Sequence, residues 1–269
     1  MIDQRNVIGG IIGDIAGSVY EFDNDRKKDF VMFGDYHRHH CFASDDSIMT
    51  LAICDALMHC RKDYSDLEEK AVEYMQKDGR PYPDCGYGGH FYQWMYSDHP
   101  KPYRSFGNGA AMRVGPVAYA AGSLPEVKQL AKAVTKVTHN HPEGLKGAEA
   151  AVVLTWYALQ GKDKDFLKHT AESYYALNFT IEEIKDTYQF NETCQETVPQ
   201  AIEAFLESES FEDAIRTAVS VGGDSDTLAC ITGSIAGAYY GVPEEMRRQA
   251  LQFLDERLLK IYLDWCECK

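Results

Sequence analysis

Helical periodicity runs through nearly the whole chain, and it constrains the possible folds more than any other feature. Residues 44–59 place Ile48, Leu51, Ala52 and Ala56 on one stripe, with Ser44 or Asp45 available to cap the helix start. Residues 67–75 repeat the pattern with Leu67, Ala71, Tyr74 and Met75. Further helices are predicted over residues 109–121, 125–137, 143–159, 163–177, 181–188, 198–207, 211–219, 227–240 and 243–265. No segment alternates apolar and polar residues between hairpin turns, so the expected fold is all-α. Two stretches read as loops: the charged residues 23–40, and residues 79–105, where Gly and Pro mix with aromatics that argue for order. No Gly/Ser-rich or Pro-rich linker divides the chain, so residues 1–269 are expected to form one domain. Residues 13–20 and 233–240 echo each other in Gly and Ala, which suits two helices packed with their backbones close together.

Charge narrows the function classes. The chain has 27 Lys+Arg against 42 Asp+Glu, a formal charge of −15, which argues against gripping nucleic acid or an anionic membrane over a broad face. It does not exclude a small anion held by a few donors. Residues 1–6 lack the basic start of a signal peptide, and Asp14 interrupts the apolar stretch that begins at Val7. The uncharged run 227–242 contains Thr232, Ser234, three glycines and two tyrosines, short of the ~20 apolar residues of a membrane span, so a buried helix and a cytoplasmic protein are expected. The eight cysteines include no CxxC pair and read as reduced thiols.

Two acidic clusters stand out because each joins carboxylates to hydroxyls at a helix start. Ser44-Asp45-Asp46-Ser47 leads into Ile48, and Gly222-Gly223-Asp224-Ser225-Asp226-Thr227 leads into Leu228. Mg²⁺ and Mn²⁺ take such oxygens in near-octahedral array, and two clusters together can hold a pair of ions ~3.5–4 Å apart. Either cluster also suits plain helix capping, favoured by the helix dipole. Ser105-Phe106-Gly107-Asn108-Gly109 offers backbone N–H groups to an anion, or forms an ordinary turn. His139, in Thr138-His-Asn-His-Pro142, can bind a ligand, act as an acid or base, or cap the preceding helix. His37, His39 and His40 lie in the charged loop and are read as solvated.

In this order the elements resemble the ADP-ribosylglycohydrolase family. The resemblance spans most of the chain and rests on Gly17-Ser-Val-Tyr-Glu21, Ser44-Asp-Asp-Ser47, Gly86-Tyr-Gly-Gly89, Ser105-Phe-Gly-Asn-Gly109, Thr138-His-Asn-His-Pro142 and Gly222-Gly-Asp-Ser-Asp-Thr227. It implies a single compact, orthogonal multi-helix all-α domain with two Mg²⁺ or Mn²⁺ ions at the base of an ADP-ribose cleft. Ser44, Asp45, Asp46, Asp224, Asp226 and Thr227 match the ligands, with Asp226 bridging both ions. Glu21 matches the family's glutamate over the metal centre, and Glu21, Asp46 and Asp226 are the implied catalytic residues. Ser105, Phe106, Gly107, Asn108 and Gly109 match contacts to the diphosphate and ribose, His139 a residue beside the distal ribose, and Gly88 and Gly89 a border of the cleft. Many relatives carry Thr where this chain has Ser44 and Ser47, which keeps a hydroxyl at both. The implied activity is removal of ADP-ribose from mono-ADP-ribosylated protein, foremost at arginine, by a monomer that releases ADP-ribose. Serine-linked or other O-linked ADP-ribose, poly-ADP-ribose and modified nucleobases are alternative substrates. A non-catalytic ADP-ribose-binding module is a further alternative, which the retained carboxylates disfavour.

Overall fold

The computed structural model describes residues 6–37 and 39–268. The chain opens with α1 (Ile8–Gly17), followed by a two-residue antiparallel hairpin, β1 (Asp35–Tyr36) and β2 (His39–His40), pairing Asp35 with His40 and Tyr36 with His39. Helices α2 (Asp45–His59), α3 (Leu67–Gly79), α4 (Gly89–Tyr96), α5 (Gly109–Met112), α6 (Val117–Ala120) and α7 (Leu124–Lys136) follow. Then come α8 (Pro142–Leu159), α9 (Lys164–Glu172), α10 (Ile181–Ile184), α11 (Cys194–Glu207), α12 (Phe211–Val221) and α13 (Ser225–Tyr240). The chain ends in α14 (Glu244–Ala250), a 3-10 turn over Leu251–Phe253, and α15 (Glu256–Glu267). The fold is all-α but for the small hairpin, as the periodicity predicts.

Helix α1 is buried along its whole length. It can lie inside because its glycines let another backbone approach. A Cβ on Gly9, Gly13 or Gly17 would sit 2.3 Å from Gly233 O, 1.9 Å from Ala229 O and 2.5 Å from the Asp226 Cα, all on α13. The echo between residues 13–20 and 233–240 therefore marks the faces on which α1 and α13 meet. Helices α2, α8, α11 and α12 pack around this pair, with Leu51, Val152, Ile202 and Ile215 among the side chains removed from water.

Departures from the expected elements have local causes. The helix predicted over 109–121 breaks into α5 and α6 because Pro116 has no N–H to continue the ladder and disfavours helical backbone before it. The helix predicted over 243–265 breaks at Asp255, whose carboxylate accepts from the Leu258 N–H and starts α15 afresh. Helix α4 lies inside the predicted loop 79–105, where Phe91, Trp94 and Met95 turn one face inward. The side chains of His37 and His40 are exposed, paired with Asp23 and Asp35. The eight cysteines are reduced thiols, as expected. Among the described residues no helix is long and apolar enough to cross a membrane.

Candidate active site

The cleft begins with a buried carboxylate on α1. Asp14 accepts hydrogen bonds from the backbone N–H groups of Ser44 and Ser47, both at 3.0 Å, and from both serine hydroxyls. It therefore closes the N-terminus of α2 from a neighbouring helix, where the helix dipole favours an anion. Burial pushes its carboxyl up to about 6, and those four donors hold it from rising further. In the sequence Asp14 reads only as an interruption of an apolar run; a lone carboxylate in a helix otherwise made of Gly, Ala and Ile was the available signal.

With α2 anchored in this way, Asp46 meets the second cluster. The Thr227 hydroxyl donates to Asp46 Oδ2 at 3.2 Å, while Asp46 Oδ1 is buried with no hydrogen-bond partner. On the other side, a turn holds Asp224 at the head of α13. Gly222 and Gly223 both have left-handed φ values, 82° and 70°. Arg26 braces this turn, donating to Val221 O at 3.2 Å and Tyr188 O at 2.8 Å. Asn108 Nδ2 donates to Asp224 Oδ2 at 2.6 Å and to Thr197 Oγ1 at 3.1 Å.

Two groups of carboxylate oxygens result, each within 4.8 Å of one another: Asp14, Asp46 and Asp226, and Glu21, Asp224 and Asp226. Asp226 belongs to both. Burial first, and repulsion from neighbouring carboxylates second, push Glu21 and Asp226 up to about 8. Asp45, Asp46 and Asp224 are raised well above the ordinary carboxylate range for the same reasons. So many buried acids must either hold protons or meet cations, and Asp46 Oδ1 offers a buried lone pair with nothing else to accept. The donor set, carboxylates and a hydroxyl with no thiolate, suits a hard divalent cation.

Above this floor a cleft of about 240 Å³ is lined by Glu21, Ser44, Asp45, Asp46, Gly88, Gly89, Ser105, Gly107, Asn108, Gly109, His139, Asp224, Asp226 and Thr227. These residues come from regions of the chain separated by up to about two hundred positions. Phe106 is not among the lining residues; its ring is 44% exposed and packs on His141 at 5.3 Å. Gly88 and Gly89 face open space, since a Cβ on either would meet nothing within 4 Å. Unanticipated contributors to the wall include Phe42, His90, Phe91, Tyr103, Arg113 and Glu192. Their chemistry depends on what the fold brings beside them, and no local motif marks them.

The segment read as an anion cradle is mostly committed within the protein. The Gly107 N–H donates to Ser105 Oγ at 3.1 Å, and the Asn108 N–H donates to Glu192 O at 2.8 Å. The Cys194 N–H returns a bond to Phe106 O, so residues 106–108 and 192–194 form a two-way strap. The Asn108 amide nitrogen points at Asp224. Thus the backbone donors expected around Gly107–Gly109 are not all free for a diphosphate, because the Asn108 N–H holds the strap and the Gly107 N–H closes the turn onto Ser105. Capping at the following helix falls to His141, whose Nδ1 accepts from the Glu143 N–H at 3.2 Å.

Comparison with known proteins gives this architecture its family. The ADP-ribosylglycohydrolase family model matches residues 6–266, and the chain belongs to that family. It is accordingly an ADP-ribosylhydrolase, a glycosidase acting on ADP-ribose linkages. The ADP-ribosylhydrolase ARH3 of Mus musculus is 26% identical, with 93% of this chain and 88% of the relative covered. The ADP-ribosylhydrolase ARH3 of Homo sapiens is also 26% identical, over 89% and 86%. The ADP-ribosylarginine hydrolase Tri1 of Serratia proteamaculans (strain 568) is 26% identical, over 87% of this chain and 70% of the relative. A solved structure titled ADP-ribosylglycohydrolase-related protein complex shares the fold, with a TM-score of 0.70, 23% identity, and 99% and 97% of the two chains covered.

Proposed function

We propose that this protein hydrolyses the N-glycosidic bond between ADP-ribose and arginine on a modified protein, with two Mg²⁺ or Mn²⁺ ions held between its acidic groups. The observation that carries the reading is the pair of carboxylate groups sharing Asp226 at the base of the cleft. Asp46, Asp224 and Asp226, with Thr227, would hold the ions, and Asp14 and Ser44 would keep the α2 end of the site in place. Divalent ions bound there would supply Lewis acidity and lower the pKa of a bound water.

Cleavage at C1 of the ribose needs a water aimed at that carbon and a proton for the departing group. Glu21 is the half-buried carboxylate on the open side of the acidic floor, so proton transfer at the scissile bond falls to it, with Asp46 as the alternative. Arginine is favoured as the leaving side by charge. Glu192 is exposed at the cleft wall and close enough to Glu21 to raise it, which gives a guanidinium an acidic approach. The name of the Serratia relative agrees with that preference.

The test is a panel of arginine-, serine- and base-linked ADP-ribosyl substrates and poly-ADP-ribose, each assayed with Mg²⁺, with Mn²⁺ and with chelator. Metal-dependent release from the arginine substrate is expected. Release from another linkage alone would overturn the arginine assignment, and release from none would overturn catalysis at this site.

A further inference from the structure

Among the described residues, Arg113 is the one Lys or Arg side chain lining the cleft, and it is only 1% exposed. Its guanidinium lies 5.5 Å from the Phe91 ring centre, and its Nε is buried with no hydrogen-bond partner. One contact gives this charge a purpose. Arg113 Nη2 lies 3.1 Å from Nδ1 of His139 and donates to Thr138 Oγ1 at 2.6 Å.

A guanidinium only donates. His139 Nδ1 must therefore be the acceptor, and the single proton of the neutral ring must sit on Nε2. Thr138 Oγ1, 2.7 Å from the same Nδ1, is compatible, because its own proton can point to Nδ1 or to Thr135 O. On the far side of the ring, a Cβ on Gly107 or Gly109 would sit 3.5 Å from Nε2. Glycine at both positions keeps that nitrogen uncovered. Of the groups facing the ring, Arg113 carries the charge and Tyr103 contributes a phenol, its ring centre 6.1 Å away. Burial and the Arg113 charge both hold the imidazole well below its ordinary pKa.

We infer that Arg113 is a positioning residue for the ADP-ribose site: it locks His139 as the Nε2–H tautomer, so that the ring presents a hydrogen-bond donor to ligand oxygens over Gly107 and Gly109. The inference rests on the proposed ADP-ribose reading of the cleft, and it removes His139 from the acid–base chemistry. A ring whose outward nitrogen already carries its proton cannot act as a base there.

Imidazole ¹⁵N NMR of the full chain with Mg²⁺, with and without ADP-ribose, tests it. The wild type should show a protonated-type Nε2 and an unprotonated-type Nδ1 down to about pH 5. In Arg113→Met the ring should take up a proton on acidification, and KM should rise about tenfold with kcat within about twofold, as for a lost ligand hydrogen bond. Arg113→Lys should restore the tautomer. Thr138→Val leaves the Arg113 donor in place and should keep the tautomer, which tests the assignment even if Arg113→Met does not fold. A proton on Nδ1 in the wild type or in Thr138→Val would overturn the inference, as would an Arg113→Met protein matching wild type in both readouts. An Nε2 signal unmoved by ADP-ribose, with the tautomer intact and dependent on Arg113, would instead refute the ligand contact and leave the lock standing.

Discussion

The floor of the cleft and its rim are built on opposite principles. The floor stands on α1, α2 and α13, where Asp14 and Asp46 are 0% and 2% exposed and two helices touch backbone to backbone. The rim comes from the turn after α1 and from loops that carry Phe22, Phe42, Phe106 and Phe190 exposed, the first and last stacked at 5.7 Å. A floor of this kind tolerates almost no change, because each carboxylate is set by several others and by the packing beneath them. The rim can change without disturbing the core. On the proposed reading, bond breaking falls to the floor and to Glu21 above it, and choice of the attached macromolecule to the rest of the rim.

That division is most exposed at Asp226, the carboxylate common to both groups. Asp226→Asn should lower turnover by about a thousandfold or more with the circular dichroism spectrum unchanged; near-normal turnover would break the proposed metal floor. Next come paired glycine substitutions. Gly13→Ala forces a methyl onto Ala229 O and should cost roughly 3 kcal/mol or more in urea unfolding, whereas Gly88→Ala at the rim should stay within about 0.5 kcal/mol. Equal costs would erase the contrast.

A pH series sharpens it further. Asp14 and Asp226 have folded-state pKa values raised to about 6 and about 8, so the folded state binds protons that the unfolded chain has released. Their stabilising contribution is full below the unfolded carboxylate pKa and is lost as pH rises through those values. Chelated protein should thus lose roughly 5–10 °C of melting temperature between about pH 5 and pH 9, and saturating Mg²⁺ or Mn²⁺ should flatten the slope. A slope unaffected by metal would mean that the floor is not where the ions sit. The smallest effect is expected at the rim: Glu192→Gln should raise KM for an arginine-linked substrate about threefold and leave free ADP-ribose binding unchanged. A larger fall in kcat would move Glu192 from the rim into the chemistry.

Much of this arrangement was legible in the sequence, and unevenly so. Helices such as α2, α7, α8 and α13 are apparent because their apolar spacing is sustained over several turns, and at α2 the expected cap agrees with it, since the Ser44 side chain accepts from the Asp46 N–H. The acidic clusters are apparent for the same reason, since hydroxyl–carboxylate pairs at helix starts stand out from the run that follows. Asp14, Arg26 and Arg113 are not, because each acts on a residue at least 25 positions away and has no local periodicity to mark it. Asn108 shows the remaining difficulty. Its place in the cleft follows from the motif, but the direction of its amide, toward Asp224, depends on a helix more than a hundred residues further on.

The bare backbone contact between α1 and α13 has a consequence for how such a site can change over time. Where side chains separate two helices, substitutions of slightly different size can move the helices by small steps and retune what lies between them. Here Gly9, Gly13 and Gly17 already stand at the limit of approach, so that route is closed in one direction and strained in the other. A descendant of this protein with a different ion preference would have to exchange the carboxylates themselves, because the spacing beneath them has no intermediate settings to explore.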